Sequence, residues 1–195
     1  MMLPIYGYGE PVLRKKADDI TPDYPKLDEL IANMYETMYY AYGVGLAAPQ
    51  IGLPIRLFIV DTEPFSEGED FSEAEKTQLK TFKRTFINAK ITAEEGKEWA
   101  FNEGCLSIPD VREDVIRKEK ITITYQDEQF QHYTETFDGL VARVIQHEYD
   151  HIEGILFTDR ISTLRRTLVK KRLQNIMEGK IRADYKMKFF QKKGR

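Results

Sequence analysis

The stretch QHEYDHIEG, residues 146–154, constrains this chain more than any other. It sets His147 and His151 four residues apart around Glu148. Residues at i and i+4 project from one face of an α-helix, one turn apart, so both imidazoles can converge on a single metal ion, with the glutamate beside a metal-bound water. The helix that carries them must be largely buried, because Leu140, Val141, Val144, Ile145, Tyr149 and Ile152 cover most of its circumference. Two imidazoles and a carboxylate on a buried helix are costly unless coordinated or hydrogen-bonded, which favours a metal site over a pair of surface histidines. Asp138 is placed to cap the start of this helix and Gly154 to stop it.

The rest of the chain must build a shell around that helix. Leu27, Leu30, Ile31, Met34, Met38 and Tyr42 recur at helical spacing and predict an amphipathic helix over 25–42, closed by Gly43. RLFIVD at 56–61 has strand length. Residues 82–91 and 98–102 read as strands joined by a turn at Glu94, Glu95 and Gly96, and 120–127 with 129–137 as an antiparallel hairpin, His132 decorating its second strand. Residues 1–24, interrupted by Pro4, Gly7, Gly9, Pro11 and Pro22, read as an extended wrap. Residues 62–80 read as an acidic surface excursion with a helical turn at 72–79, opened by the capping-box pair Ser72 and Glu75.

Residues 162–177 predict a C-terminal helix, apolar at Leu164, Leu168, Leu173, Ile176 and Met177 and basic at Arg165, Arg166, Lys170, Lys171 and Arg172. The expected architecture is α+β: a single domain, residues 1–178, of antiparallel and mixed β-sheets around a central buried helix, with a C-terminal helix. Residues 179–195 follow as a basic tail expected to be mobile.

Charge matters because it is uneven. From residue 160 onward thirteen Lys or Arg face two acids, a balance of +11 that leaves −14 on residues 1–159, since the whole chain carries −3. A basic segment on an acidic body fits either a solvated helix or contact with a polyanion such as RNA. No apolar run is long enough to span a bilayer, and MMLPIYGYGE lacks the basic start and apolar core of a signal peptide, so a cytoplasmic protein with no membrane and no DNA partner is expected. One cysteine excludes an internal disulfide and leaves Cys105 as a buried small residue or a working thiolate.

Two histidines need a third ligand. The candidates outside the helix are His132, many carboxylates and Cys105; cysteine is the scarcest, and it stands in a Gly-Cys-Leu turn after a predicted strand. Three protein ligands leave a fourth position for water, the arrangement of a catalytic site. A divalent ion lowers the pKa of that water from about 15.7 to about 7, and Glu148 can take the proton and hand it to a leaving amine. The chemistry is metal-assisted hydrolysis of a carbonyl compound. Separately, GVGLAAPQIGLP at 43–54 is too small and Gly-rich to pack well and reads either as a tight structural loop or as a place where a ligand or another backbone approaches closely, with Gln50 its polar side chain.

Together GVGLAAPQIG, EGCLS and QHEYDHIEG resemble the three signature motifs of peptide deformylases, in the same order and at comparable separations, and the likeness in character runs from Pro4 to Met177. The resemblance implies that Cys105, His147 and His151 ligate the metal, ferrous iron (Fe2+) in the cell, with Ni2+, Co2+ or Zn2+ able to replace it. It implies a substrate, formyl-methionyl peptides, whose formyl carbonyl is attacked by metal-bound hydroxide with Glu148 as general base and acid, releasing formate. Gln50 and the backbone N–H of Leu106 would stabilise the oxyanion, and the Gly45 backbone would pair with the peptide. Val44, Leu140 and Val144 would wall the methionine pocket, and Glu103 would orient the ligand-bearing turn. The C-terminal helix and tail resemble those of members that dock on the ribosome. Two departures stand out: residues 62–80 are longer than in the shorter bacterial members, and Arg143 stands one turn before His147 where some relatives carry an apolar residue. Two rivals remain at this point. A zincin-type metallopeptidase shares H-E-x-x-H but draws its third ligand from a later histidine or glutamate, and in a non-catalytic metal- or RNA-binding module Glu148 would be a spectator.

Overall fold

Alternation of side chains across strands decides the architecture of this chain, whose computed structural model describes residues 1–68 and 71–190. After a short N-terminal strand β1 (Ile5–Tyr6) come β2 (Gly45–Ala47), β3 (Leu57–Asp61), β4 (Lys83–Cys105), β5 (Ile108–Gln126) and β6 (His132–Asp138). The last five form one antiparallel sheet in the order β2-β3-β4-β5-β6. Strand β3 is buried along its whole length, and its sequence is apolar up to the last residue, Asp61. Its alternate residues feed different cores, as the pleat requires. Phe58 and Val60 join Phe86, Ile121 and Ile123 against α3 (Gly139–Ile152), while Leu57 and Ile59 meet Ile31, Met34 and Met38 of α1 (Leu27–Tyr40) on the opposite face. The helix carrying His147 and His151 is thus clamped on the sheet, with Leu140, Val141, Val144, Ile145 and Ile152 in the core.

The expected turn at Glu94 to Gly96 does not exist. Strand β4 runs through it for 23 residues, pairing Glu94 with Ile121 and Glu95 with Lys120, then slips by one residue before Glu98 pairs with Lys118. Gly96, at φ +79°, makes a bulge there rather than a reversal. Three further slips, one spanning Asn88 at φ +53°, add bend and twist to the β4–β5 ribbon. The true reversal is the tip Leu106–Ser107, flanked by the pair Cys105 and Ile108. Strand β5 also covers residues 108–119, which the sequence does not suggest as a strand. On its inward parity Glu113 and Arg117 are buried alongside Val111 and Val115, and charged residues on the core side disguise the alternation.

Helix α2 (Glu73–Thr81) starts as the capping box requires: Ser72 N donates to Glu75 Oε2 (2.9 Å) and Glu75 N to Ser72 Oγ (3.3 Å). Helix α4 (Thr163–Met177) departs from its expected face. Leu164 and Leu168 are 70% and 62% exposed, and the helix packs instead through Val169, Leu173 and Ile176 against Val111, Val115 and Ile161. The spacing i, i+4, i+7 selects that stripe and leaves the two leucines on the solvent side. At the other end of α1, Tyr42 rather than Gly43 takes the left-handed conformation, φ +56°.

The basic tail also departs from expectation. Met187–Lys188 form β7, which pairs in parallel with β1. Ile181, Tyr185 and Phe189 share one parity of the tail and pack against the body, which gives this polar-looking segment an apolar face. Residues 191–195 lie outside the described residues. Among the described residues no helix is long and apolar enough to cross a membrane.

Candidate metal centre

Helix α3 and the β4–β5 tip bring three donors together from distant parts of the chain. His147 and His151 lie one turn apart with ring centroids 5.2 Å from each other, and Cys105 Sγ sits 3.3 Å from His151 Nε2. The ligand atoms of Cys105, His147 and His151 all lie within 4.8 Å of one another. His147 Nδ1–H donates to Glu103 Oε2 (2.9 Å), which leaves its Nε2 for the cluster. His132 is remote from this arrangement, exposed at the start of β6 beside Gln126.

Behind His147 is a buried ionic network that sequence reasoning identified only at Glu103. Arg117 holds that carboxylate with two hydrogen bonds, Nε to Oε1 (2.7 Å) and Nη2 to Oε2 (2.9 Å), and reaches Asp150 Oδ2 with Nη1 (2.8 Å). Arg143 Nη1 adds a bond to Glu103 Oε1 (3.0 Å), and Arg160 grips Asp150 with two bonds of 2.6 Å. Burial pushes the Glu103 carboxyl up, but the bonds from Arg117 and His147 outweigh it and hold the group well below the usual carboxylate range. Arg143, the departure in the sequence, is buried with its guanidinium 4.4 Å from the Trp99 ring and donates to the carbonyls of Val115 (2.9 Å) and Trp99 (2.7 Å). It fixes a cation at this turn. The inward parity of Arg117 on β5 was the available signal, hidden because that strand was unrecognised.

Gln50 lies on a 3-10 turn, Ala48–Ile51, and is 1% exposed. Its Oε1 accepts from Ala47 N (2.8 Å), which turns Nε2 toward Cys105 Sγ (3.4 Å) and Ser107 Oγ (3.3 Å). Glu148 is buried against Gly45, where any Cβ would overlap the carboxylate. Burial raises the Glu148 carboxyl to about 7. Among the described residues its Oε2 has no hydrogen-bond partner, nor has His151 Nδ1. An orphaned buried carboxylate oxygen beside one thiol and two imidazoles fits a divalent ion carrying a water, and this donor set suits iron, nickel, cobalt or zinc.

A cavity of about 470 Å³ opens onto this centre. Val44, Gly45, Gln50, Glu103, Leu106 and Val144 all line it, together with Phe65 and Phe101, which the sequence did not single out. Leu140 does not; it borders a separate concavity with Phe71, Leu79 and Trp99. The Gly45 contact predicts that Gly45→Ala displaces the Glu148 carboxylate and lowers kcat by about tenfold or more with metal content unchanged, as expected when a reacting group is misplaced; steady-state kinetics with metal analysis checks this.

The family model described as polypeptide deformylase matches residues 2–167. The chain belongs to the peptide deformylase family. The peptide deformylase of Flavobacterium johnsoniae is 68% identical over 196 residues, covering 100% of both chains. Among solved structures, the peptide deformylase of Thermotoga maritima has 36% identity and a TM-score of 0.72 over 83% of this chain and 99% of that one. The peptide deformylase of Legionella pneumophila has 35% identity and a TM-score of 0.76 over 92% and 98%. As a peptide deformylase the chain is a metal-dependent hydrolase that removes the formyl group of formyl-methionyl peptides. The metallopeptidase and the non-catalytic binding module are not favoured by these likenesses.

Proposed function

We propose the following division of labour for deformylation, carried by one observation: Glu148, whose buried Oε2 is unpartnered among the described residues, lines one cavity with Gln50, Cys105 and His147, and the ligand atoms of the last two cluster with that of His151. Cys105, His147 and His151 hold the ion, Fe2+ in the cell, and Ni2+, Co2+ or Zn2+ also fit the donors. When bound, the ion supplies Lewis-acid polarisation and acidifies water. Glu148 accepts the proton of the attacking water and returns it to the departing amine, so that the formyl C–N bond breaks to formate and a free amino terminus. Gln50 Nε2–H and Leu106 N–H donate to the oxyanion. The Gly45 backbone pairs with the peptide, Val44 and Val144 flank its methionine, and Glu103 keeps His147 in its orientation. The decisive experiment is formate release from a formyl-Met peptide by anaerobically purified protein, with metal analysis. Turnover with bound iron is expected; no activity in an iron- or nickel-loaded sample would overturn the reading. Gln50→Leu, lacking one oxyanion donor, should lower kcat by about 10²–10³-fold in the same assay.

The reading extends to the place of action, the cytoplasm, with docking on the ribosome through α4. Support comes from Lys170, Lys171 and Arg172, all exposed and in no ion pair with the described residues, next to the exposed Leu164 and Leu168. Neutralising these three cations should abolish co-sedimentation with ribosomes at moderate salt; unchanged co-sedimentation would end the proposal. Truncation is a poor test, because residues 185–189 pack on the body.

A further inference from the structure

Residues 181–189 lie past residue 167, where the family match stops, yet they reach the catalytic cleft. Arg182, Ala183, Asp184 and Tyr185 form part of its wall. The segment is pinned on both sides. Ile5 N donates to Lys186 O (2.9 Å) and Gly7 N to Lys188 O (2.8 Å), while Phe189 lies so close over Gly7 that a Cβ there would be 2.9 Å from its ring. From this anchored position the Tyr185 hydroxyl donates to Leu106 O (2.8 Å). One residue further along the tip, Tyr8 N donates to Ser107 O (2.8 Å). The two carbonyls of the β4–β5 tip are therefore each taken by a residue from one of the paired terminal strands' segments.

This matters because hairpin tips are the least restrained part of a ribbon. The carbonyl and the N–H of Leu106 are separated by the φ and ψ of that one residue. A fixed carbonyl on one side and a fixed Cys105 side chain on the other leave the N–H little freedom. Gln50 bonds to Cys105 and Ser107 but reaches neither carbonyl. The ring of Tyr185 packs with Leu106 in the α1-side core, so the hydroxyl arrives from a seated side chain.

We infer that Tyr185 is a positioning residue for deformylation, its hydroxyl holding the Leu106 backbone so that the N–H is aimed at the oxyanion before substrate arrives. The inference rests on the deformylase reading given above. Tyr185→Phe removes the hydroxyl and keeps the packed ring. In the metal-loaded full chain, kcat on a formyl-Met peptide should fall about tenfold, the size of one well-made hydrogen bond. KM should stay within about twofold, because an interaction felt only in the transition state leaves substrate binding alone. Bound metal and Tm should match the wild type, and hydrogen exchange of the Leu106 and Ser107 amides should quicken. Unchanged kcat in Tyr185→Phe would overturn the inference, as would a kcat loss that tracks lost metal or lowered Tm, which would make the contact merely structural. Wild-type protein that releases no formate would overturn the deformylase reading itself, whereas active wild type with an equally active Phe variant sinks only the role of Tyr185.

Discussion

Glu148→Ala is expected to lower kcat by about 10²–10⁴-fold, the range of a lost general acid–base group, while the protein keeps its metal. The three clustered donors do not include Glu148, so removing it leaves the metal set intact. Nor does its carboxylate hold the fold together: among the described residues Oε2 has no partner, and burial already pushes the group up to about 7. A buried carboxyl with an unpaired oxygen is a burden on stability that function maintains, so the variant should melt no lower than wild type. Single-turnover formate release, metal analysis and a thermal melt on the same preparation test all three statements. Retained turnover would mean that another group handles the proton.

Arg117→Met should act in the opposite way, hitting stability first. It strips the central cation from Glu103 and Asp150, both about 95% buried, and the carboxylates are left facing each other's field with only Arg143 and Arg160 to offset them. Breaking a buried ion pair from one side costs about 3–5 kcal/mol. For a chain of this size that lowers Tm by roughly 6–20 °C, at about 2–4 °C per kcal/mol. Loss of the bond that fixes Glu103 also loosens His147, and disturbing such an outer partner typically weakens metal binding about 10–100-fold. Calorimetry and a competitive chelator titration measure the two effects separately. A variant with wild-type Tm and affinity would show that Arg143 alone suffices to hold Glu103.

The parts of this enzyme that were legible in its sequence are those where chemistry is local. Two histidines around a glutamate need only helical geometry to meet, and the apolar surround of residues 140–152 already demanded burial, as found. Cys105 was legible as the scarcest candidate ligand and Gln50 took a role only through its motif; the approach of Cys105 to His151 depends on a β4–β5 pairing that no short window encodes. That same pairing explains the misreadings. Gly96 supports a turn or a bulge equally well by its own conformational freedom, and the neighbouring strand decides. Glu113 and Arg117 conceal the inward parity of β5, because a charge is rarely placed on the core side of a strand unless it is paired, and their partners, Arg165 for one and Glu103 with Asp150 for the other, lie elsewhere in the chain. Leu140 was assigned to the methionine pocket on resemblance, and the start of α3 faces another concavity instead.

The parallel pairing of β1 with β7 has a temporal side. Tyr6 and Lys188, which meet in that small sheet, are 182 residues apart in the sequence. A chain emerging in order from its N-terminus can assemble the helix and the long ribbon well before it can close this contact, and contacts of such long sequence separation carry the largest loop-closure cost. The tip bearing Cys105 and Leu106 therefore gains its Tyr185 contact only after residues 185–188 are made, later than the helix and the ribbon they join.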